Sequence, residues 1–380
     1  MRRYRPFLIA TSLLLVLHAY IGLRILADLP LSTGGRVVGA LALALSWLLI
    51  PLSFTARYLS RRALAERLVW AGSLTMGLFS SLFVLTLLRD IGLAVGMFVL
   101  PDEVRKAAVG WSAVAVPVLA VLATLIGFIN ARRRARVVDI DVPLANLPVR
   151  LHGFTIAQIT DIHVGATIKR AYVDAIVDKV NELQADLIAV TGDLVDGSVK
   201  ELAPHIAPMA RLTARHGAYF VTGNHEYYSG EAAWTAEFTR LGLRVLMNEH
   251  VVLDHNGVLL IVAGVADYSA HHFNPAQRSD PQAALSGAPS GIGPKLLLAH
   301  QPRSAAAAAA AGFDLQLSGH THGGQFWPWN HFVRLQQPFT AGLHRLNDMW
   351  VYISRGTGYW GPPKRLGVPS EITRLRLVPA

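Results

Sequence analysis

Apolar positions follow two regimes along the chain. Before residue 130 they form four long runs, about 7–23, 37–52, 68–88 and 109–129, each near the ~17–25 residues a helix needs to cross a bilayer. After residue 153 the runs shorten. Residues 154–160, 186–191, 218–222, 295–299 and 315–318 are brief apolar segments bounded by turn-forming residues, the pattern of buried strands. Between them, 170–184 repeats apolar side chains at helical spacing, with Tyr172, Ile176, Val180 and Leu183 on one face. A helix disturbed by Pro204 and Pro208 is expected over 199–215, an alanine-rich helix over 303–311, and a hairpin turn at Asn256-Gly257. The pattern predicts four transmembrane helices within 1–136, a linker over 137–152 holding Asp139, Asp141 and Pro143, and an α/β domain over 153–380.

Composition agrees with a chain partly in lipid. At 52% hydrophobic, 16% charged and mean hydropathy +0.36, it is too apolar for one ordinary soluble domain. The net charge of +10 is uneven: 16 Lys/Arg face 5 Asp/Glu through Arg136, against 19 and 20 beyond it. The α/β part therefore lacks the basic footprint of nucleic-acid binding, and no such partner is expected. Arg2, Arg3 and Arg5 precede the first run, Arg57, Arg61, Arg62 and Arg67 separate the second and third, and Arg132, Arg133, Arg134 and Arg136 follow the fourth. The other two loops are mixed, with Arg24, Asp28 and Arg36 in one and Arg89, Asp90, Asp102, Glu103, Arg105 and Lys106 in the other. By the positive-inside rule the N-terminus and the α/β domain lie on the cytoplasmic face. A cleaved signal peptide is the alternative for the first run, but no small-residue cleavage site follows it. His18 alone is ionisable within the runs, so they read as an anchor among membrane lipids rather than a pump or channel. The absence of cysteine excludes disulfides, thiolate metal sites and a thiol nucleophile.

Candidate chemistry sits where the expected strands end. ITDIHVG, TGDLVDG, TGNHEYY, LLAHQP and SGHTHGG each follow one, and the C-terminal ends of strands are where open α/β sheets place ligands. An isolated HxH could be two buried, hydrogen-bonded histidines; five such coincidences leave that reading little room. Asp161, His163, Asp193, Asn224, His300, His320 and His322 offer oxygen and nitrogen ligands suited to two divalent ions. Strand alternation would turn His320 and His322, like Asp161 and His163, to one face. Asp193, alone after Thr191-Gly192, is the candidate bridge.

In order along the chain these are DxH, GD, GNHE, H and GHxH, and the set resembles the calcineurin-like metallophosphoesterases. The resemblance covers about residues 153–377 and implies a four-layer αββα sandwich with a dinuclear site at one edge of the sheets. It also implies that Asp161, His163, His322 and the shared Asp193 hold one ion, and Asp193, Asn224, His300 and His320 the other. His225 would serve as general acid toward the leaving oxygen, and Glu226 would support its loop. Hydroxide generated between the cations would attack phosphorus in line, with no covalent phospho-enzyme. Mn²⁺, Fe²⁺/Fe³⁺ and Zn²⁺ all suit the ligand set. The spans, together with SGHTHGGQ and SRGTGYWGPPKRLGVPSEITRL, look like the membrane-attached branch that includes YkuE-type and transmembrane metallophosphoesterase-domain proteins. That likeness suggests a phosphodiester or pyrophosphate substrate, small or lipid-linked, of the kind of UDP-2,3-diacylglucosamine in lipid A synthesis. The alternative is a non-catalytic membrane scaffold or sensor that retains the metal site.

Other residues divide between site and structure. Arg355, Lys364 and Arg365, in a glycine- and proline-rich loop, are candidates to meet substrate phosphate, against a solvated loop face. Trp327, Trp329 and Trp360 are expected in the core, ahead of an apolar wall or a membrane-facing rim.

Overall fold

A computed structural model describes residues 5–56, 59, 61–289 and 291–380. Arg2, Arg3 and Arg57, used above for orientation, lie outside the described residues. The chain divides into two compact units, Met1–Asn130 with Gly361–Lys364, and Ala131–Trp360 with Arg365–Ala380.

The first unit holds the apolar runs as α1 (Arg5–Ile21), α2 (Thr33–Thr55), α3 (Arg62–Val99) and α4 (Asp102–Arg132). All four are long and apolar enough to cross a membrane, α1 with the help of a π-helical turn, Gly22–Leu26. At most 22% of residues in their most apolar windows are buried, so these helices turn apolar side chains outward, the reverse of soluble packing. The helices exceed the expected runs. Arg89 and Asp90, expected in a loop, lie inside α3, and Arg24 inside the π turn. Pairing makes this tolerable: Arg24 Nε lies 2.8 Å from Asp90, and buried Arg89 donates to Asp28, Ser112 and two backbone carbonyls. His18 is buried, stacked 4.3 Å from Phe79 and 2.8 Å from Ser46 Oγ.

The second unit opens with β1 (Arg136–Leu144), β2 (Thr155–Ile159), α5 (Arg170–Glu182), β3 (Leu187–Val190), α6 (Val199–Ile206) and β4 (Ala218–Phe220). Next come α7 (Asn224–Ser229), α8 (Glu231–Arg240), β5 (Arg244–Val245), β6 (Glu249–His255) and β7 (Val258–Gly264). It closes with α9 (Pro281–Ala284), β8 (Lys295–Leu298), α10 (Ala305–Ala310), β9 (Leu315–Ser318), β10 (Gly342–Leu346), β11 (Met349–Ile353) and β12 (Glu371–Pro379). Two six-stranded sheets result, ordered β1-β12-β2-β3-β4-β5 and β10-β11-β9-β8-β7-β6. Within them β2 to β5 run parallel, as do β7, β8, β9 and β11. The hairpin turns at Asn256-Gly257, both with positive φ.

Three apolar cores make the sandwich. Ile156, Leu187, Val221, Val262, Leu298, Leu317 and Leu375 fill the space between the sheets. Ile176, Val180, Phe220, Trp234 and Phe238 join the first sheet to α5 and α8, and Val351, Ala305 and Ala308 join the second to α10. The layers are therefore αββα. Truncating a side chain as buried as Leu298 costs about 2–5 kcal/mol.

The expected linker is corrected by β1, which pairs in parallel with the C-terminal strand β12 from Arg136↔Glu371 to Leu144↔Pro379. Its RVVDIDVPL alternates: Val142 and Leu144 are buried, while Asp139 and Asp141 face out to Arg374 and Arg376. Polar residues on one face of an edge strand look like a linker when read without the partner strand.

Candidate metal centre

The central parallel strands carry the candidate ligands. Asp161 and His163 follow β2, Asp193 follows β3, Asn224 and His225 follow β4, His300 follows β8, and His320 and His322 follow β9. Neither pair continues its strand, so alternation is not what aims the side chains. Asp161, His163, Asp193, His320 and His322 all hold positive φ, a left-handed conformation costing about 1–3 kcal/mol for a residue with a Cβ. Glycines admit the close packing this requires. A Cβ on Gly319 would collide with the Asp161 carboxylate, and one on Gly223 with that of Asp193.

The side chains converge in three overlapping groups, Asp161-His163-His322, His163-Asp193-His225 and Asp193-His300-His320, the ligand atoms of each within 4.8 Å of one another. His322 Nε2 is 3.0 Å from His163 Nε2 and 3.5 Å from Asp161 Oδ1. His300 Nε2 is 3.1 Å from Asp193 Oδ2 and 3.2 Å from His320 Nδ1. His320 and His322 thus turn to different halves of the cluster, and Asp193 belongs to both.

The donor set fits cations. His300 Nδ1 lies 2.8 Å from the Thr191 carbonyl, which only accepts, so a proton sits on Nδ1 and Nε2 faces the Asp193 carboxylate, where Asp193 and its neighbours outweigh burial and hold the imidazole pKa well above its usual range. His163 repeats the outer contact, with Nδ1 at 3.1 Å from Asp196 Oδ1. Nitrogen facing carboxylate at the His300–Asp193 distance calls for positive charge between them, which a proton or a cation can supply, and fixing the outer nitrogen is how ligand histidines are oriented. Asn224 Oδ1 adds a buried oxygen with no hydrogen-bond partner among the described residues. Titration tells the same story. Burial and the His300 charge hold the His320 imidazole down to about 3, and burial with His163 holds His322 well below its usual range, so both are neutral imidazoles. Burial opposes the Asp193 charge, but His300 and His225 outweigh it and keep the carboxyl well below the usual range.

His225 stands beside the ligands. Its backbone N donates to Asp193 Oδ1 at 2.8 Å, and its Nδ1 lies 2.6 Å from Asp196 Oδ1. Burial lowers its pKa, but Asp193 and Asp196 overcome this and raise it to about 9. Glu226 is fully buried and accepts from the backbone N–H of Asp193, Leu194 and Gly223 at 2.7–2.9 Å, tying the β3 and β4 loops together. Sequence reasoning missed Asp196, which serves His163 and His225 at once. Its signal was a second aspartate in TGDLVDG, three residues past the ligand.

The calcineurin-like phosphoesterase family matches residues 154–324, the stretch that carries every candidate ligand. An uncharacterized metallophosphoesterase of Aquifex aeolicus is 31% identical over 57% of this chain and 82% of its own length. The chain belongs to the calcineurin-like metallophosphoesterases. Among longer relatives, the transmembrane protein with metallophosphoesterase domain of Bos taurus is 39% identical over 75% of this chain, and that of Danio rerio 36% identical over 73%. The match spans 66% and 64% of those two relatives' own lengths.

Outside the candidate ligand set the chain departs from expectation at the C-terminal loop. Arg355 Nη1 pairs with Glu371 at 2.7 Å while its side chain remains one-third exposed. Arg365 is buried, not on a solvated loop face. Its guanidinium donates to the carbonyls of His322, Arg355 and Gly358, and Nη2 lies 3.0 Å from His322 Nδ1. It backs a ligand instead of facing open solvent. Lys364 groups with the helical unit, buried, its ammonium donating to Gly77 O and Ser81 Oγ. The tryptophans expected in the core are at the surface: Trp327, Trp329 and Trp360 are 42%, 39% and 44% exposed.

Proposed function

We propose that this chain is a membrane-anchored, metal-dependent phosphoesterase that hydrolyses a phosphodiester or pyrophosphate bond, with a lipid-linked nucleotide as its candidate substrate. The observation that supports it most is the convergence of Asp161, His163, His300, His320 and His322 around the shared Asp193, with the Nε2 atoms of His163 and His300 turned from their outer partners toward the cluster. Asp161, His163 and His322 would hold one divalent ion with Asp193, and Asn224, His300 and His320 the other. When bound, two such ions acidify a water and offset charge on phosphoryl oxygens. The protein's own residues do the rest. His225, its Nδ1 engaged by Asp196, has Nε2 left to give a proton to the leaving oxygen. Asp196 fixes that orientation, and Glu226 keeps the two loops in register. Arg355 is the candidate for contact with a substrate phosphate. The four apolar helices support membrane anchoring, and the arginines flanking them favour a cytoplasmic phosphoesterase unit.

The test uses the chain in detergent, stripped of metal and reloaded with Mn²⁺, on bis-p-nitrophenyl phosphate. Turnover is expected that vanishes on stripping and falls about a thousandfold in Asp193→Asn. Equal turnover in that variant removes the proposal, and metal binding without any turnover favours the scaffold or sensor. Since the chain has no cysteine, single introduced cysteines labelled from one side of the membrane report the orientation.

A further inference from the structure

His225 is surrounded by aromatic rings the hydrolytic chemistry does not need. The Tyr228 ring lies 5.2 Å from it and the Trp360 ring 5.6 Å, both edge-on at 73° and 72°. Phe273 extends the set, 5.5 Å from Tyr228 at 63°. Tyr228, Phe273 and Trp360 are 57%, 50% and 44% exposed, an unusual amount of aromatic surface to leave in water beside a buried polar centre. One of them is deliberately held. Gln325, the last residue of SGHTHGGQ, takes a positive φ and grips the Trp360 backbone twice, accepting from its N–H at 2.8 Å and donating to its carbonyl at 2.9 Å.

We infer that Tyr228, Phe273 and Trp360 form an apolar collar for the leaving group of the substrate, and that Gln325 is a positioning residue for it. The inference rests on the phosphoesterase reading, since it places the leaving group at His225. The occupant is a flexible alkyl or acyl chain attached near the scissile oxygen. Tyr228 and Phe273 meet at 63°, so the pair offers no parallel slot in which a planar base could be sandwiched, whereas a flexible chain adapts to inclined ring faces. The collar raises turnover of chain-bearing esters by burying methylenes as they bind.

The experiment compares methyl 4-alkylphenyl phosphodiesters with methyl, butyl and octyl chains, which lengthen the leaving group without changing its acidity. The Mn²⁺-loaded chain is assayed at one detergent concentration and one pH, and the octyl-to-methyl ratio of kcat/KM is compared between wild type and variants. Partition into detergent and loss of folded protein cancel in that comparison. Phe273→Ser and Gln325→Ala should each cut the ratio about tenfold, with Phe273→Leu restoring it. A ratio unchanged in both variants overturns the collar while leaving the phosphoesterase reading intact. No turnover of any ester, bis-p-nitrophenyl phosphate included, overturns both.

Discussion

In the half of the centre that contains His300 and His320, support comes from the backbone: the Thr191 carbonyl takes the Nδ1 proton of His300. In the half that contains His163 and His322, charged side chains stand behind the ligands, Asp196 at His163 and Arg365 at His322. A carboxylate makes His163 a stronger donor, while a guanidinium beside His322 opposes cation binding. A backbone carbonyl cannot be altered by substitution. Two ions bound as proposed should therefore respond differently to mutation, and Asp193, common to both halves, should not discriminate between them.

The largest effect is expected where the halves meet. Asp193→Asn should lower kcat/KM about a thousandfold and weaken both ions, read by metal titration beside the kinetics; selective loss of one ion would break the claim that Asp193 is shared. Asp196→Asn comes next, at about 10–100-fold in affinity for the ion on the His163 side. It also carries a pH signature. His225 must hold a proton to act as an acid, and its pKa is raised to about 9, so kcat/KM should fall as pH climbs through that value. Removing the Asp196 charge should move this limb to lower pH, and a bound cation acts in the same direction; a limb that stays in place would argue against His225 as the donor. The smallest effect belongs to Arg365→Lys. A single ammonium cannot serve the carbonyls of His322, Arg355 and Gly358 together, so the His322 loop should loosen. Metal affinity should change by a few-fold, about tenfold at most, on that side only.

Much of this was legible in the sequence. Ligands at strand ends could be read because short apolar runs such as 186–191 and 315–318 end at TGD and SGH, and strand order brings those ends together. Strand alternation was the wrong reason for grouping His320 with His322. Both residues lie past the end of β9 with positive φ and face different partners. What the sequence hid depends on the chain folding back. The strand β1 shows its polarity only beside Arg374 and Arg376, Asp196 acquires its role only when His163 and His225 flank it, and Trp360 meets Gln325 only across a sequence separation of 35 residues. Charges at 89 and 90 looked like a loop because their partners at 24 and 28 are distant in sequence.

The difference between the halves is tested most directly by counting ions. Wild-type chain equilibrated with excess Mn²⁺ and then desalted should retain about two equivalents by elemental analysis, and His320→Ala and His322→Ala about one each. The ion left in His322→Ala should be insensitive to Asp196→Asn, and the ion left in His320→Ala should be weakened by it. One equivalent in the wild type, or two in either variant, would contradict the account.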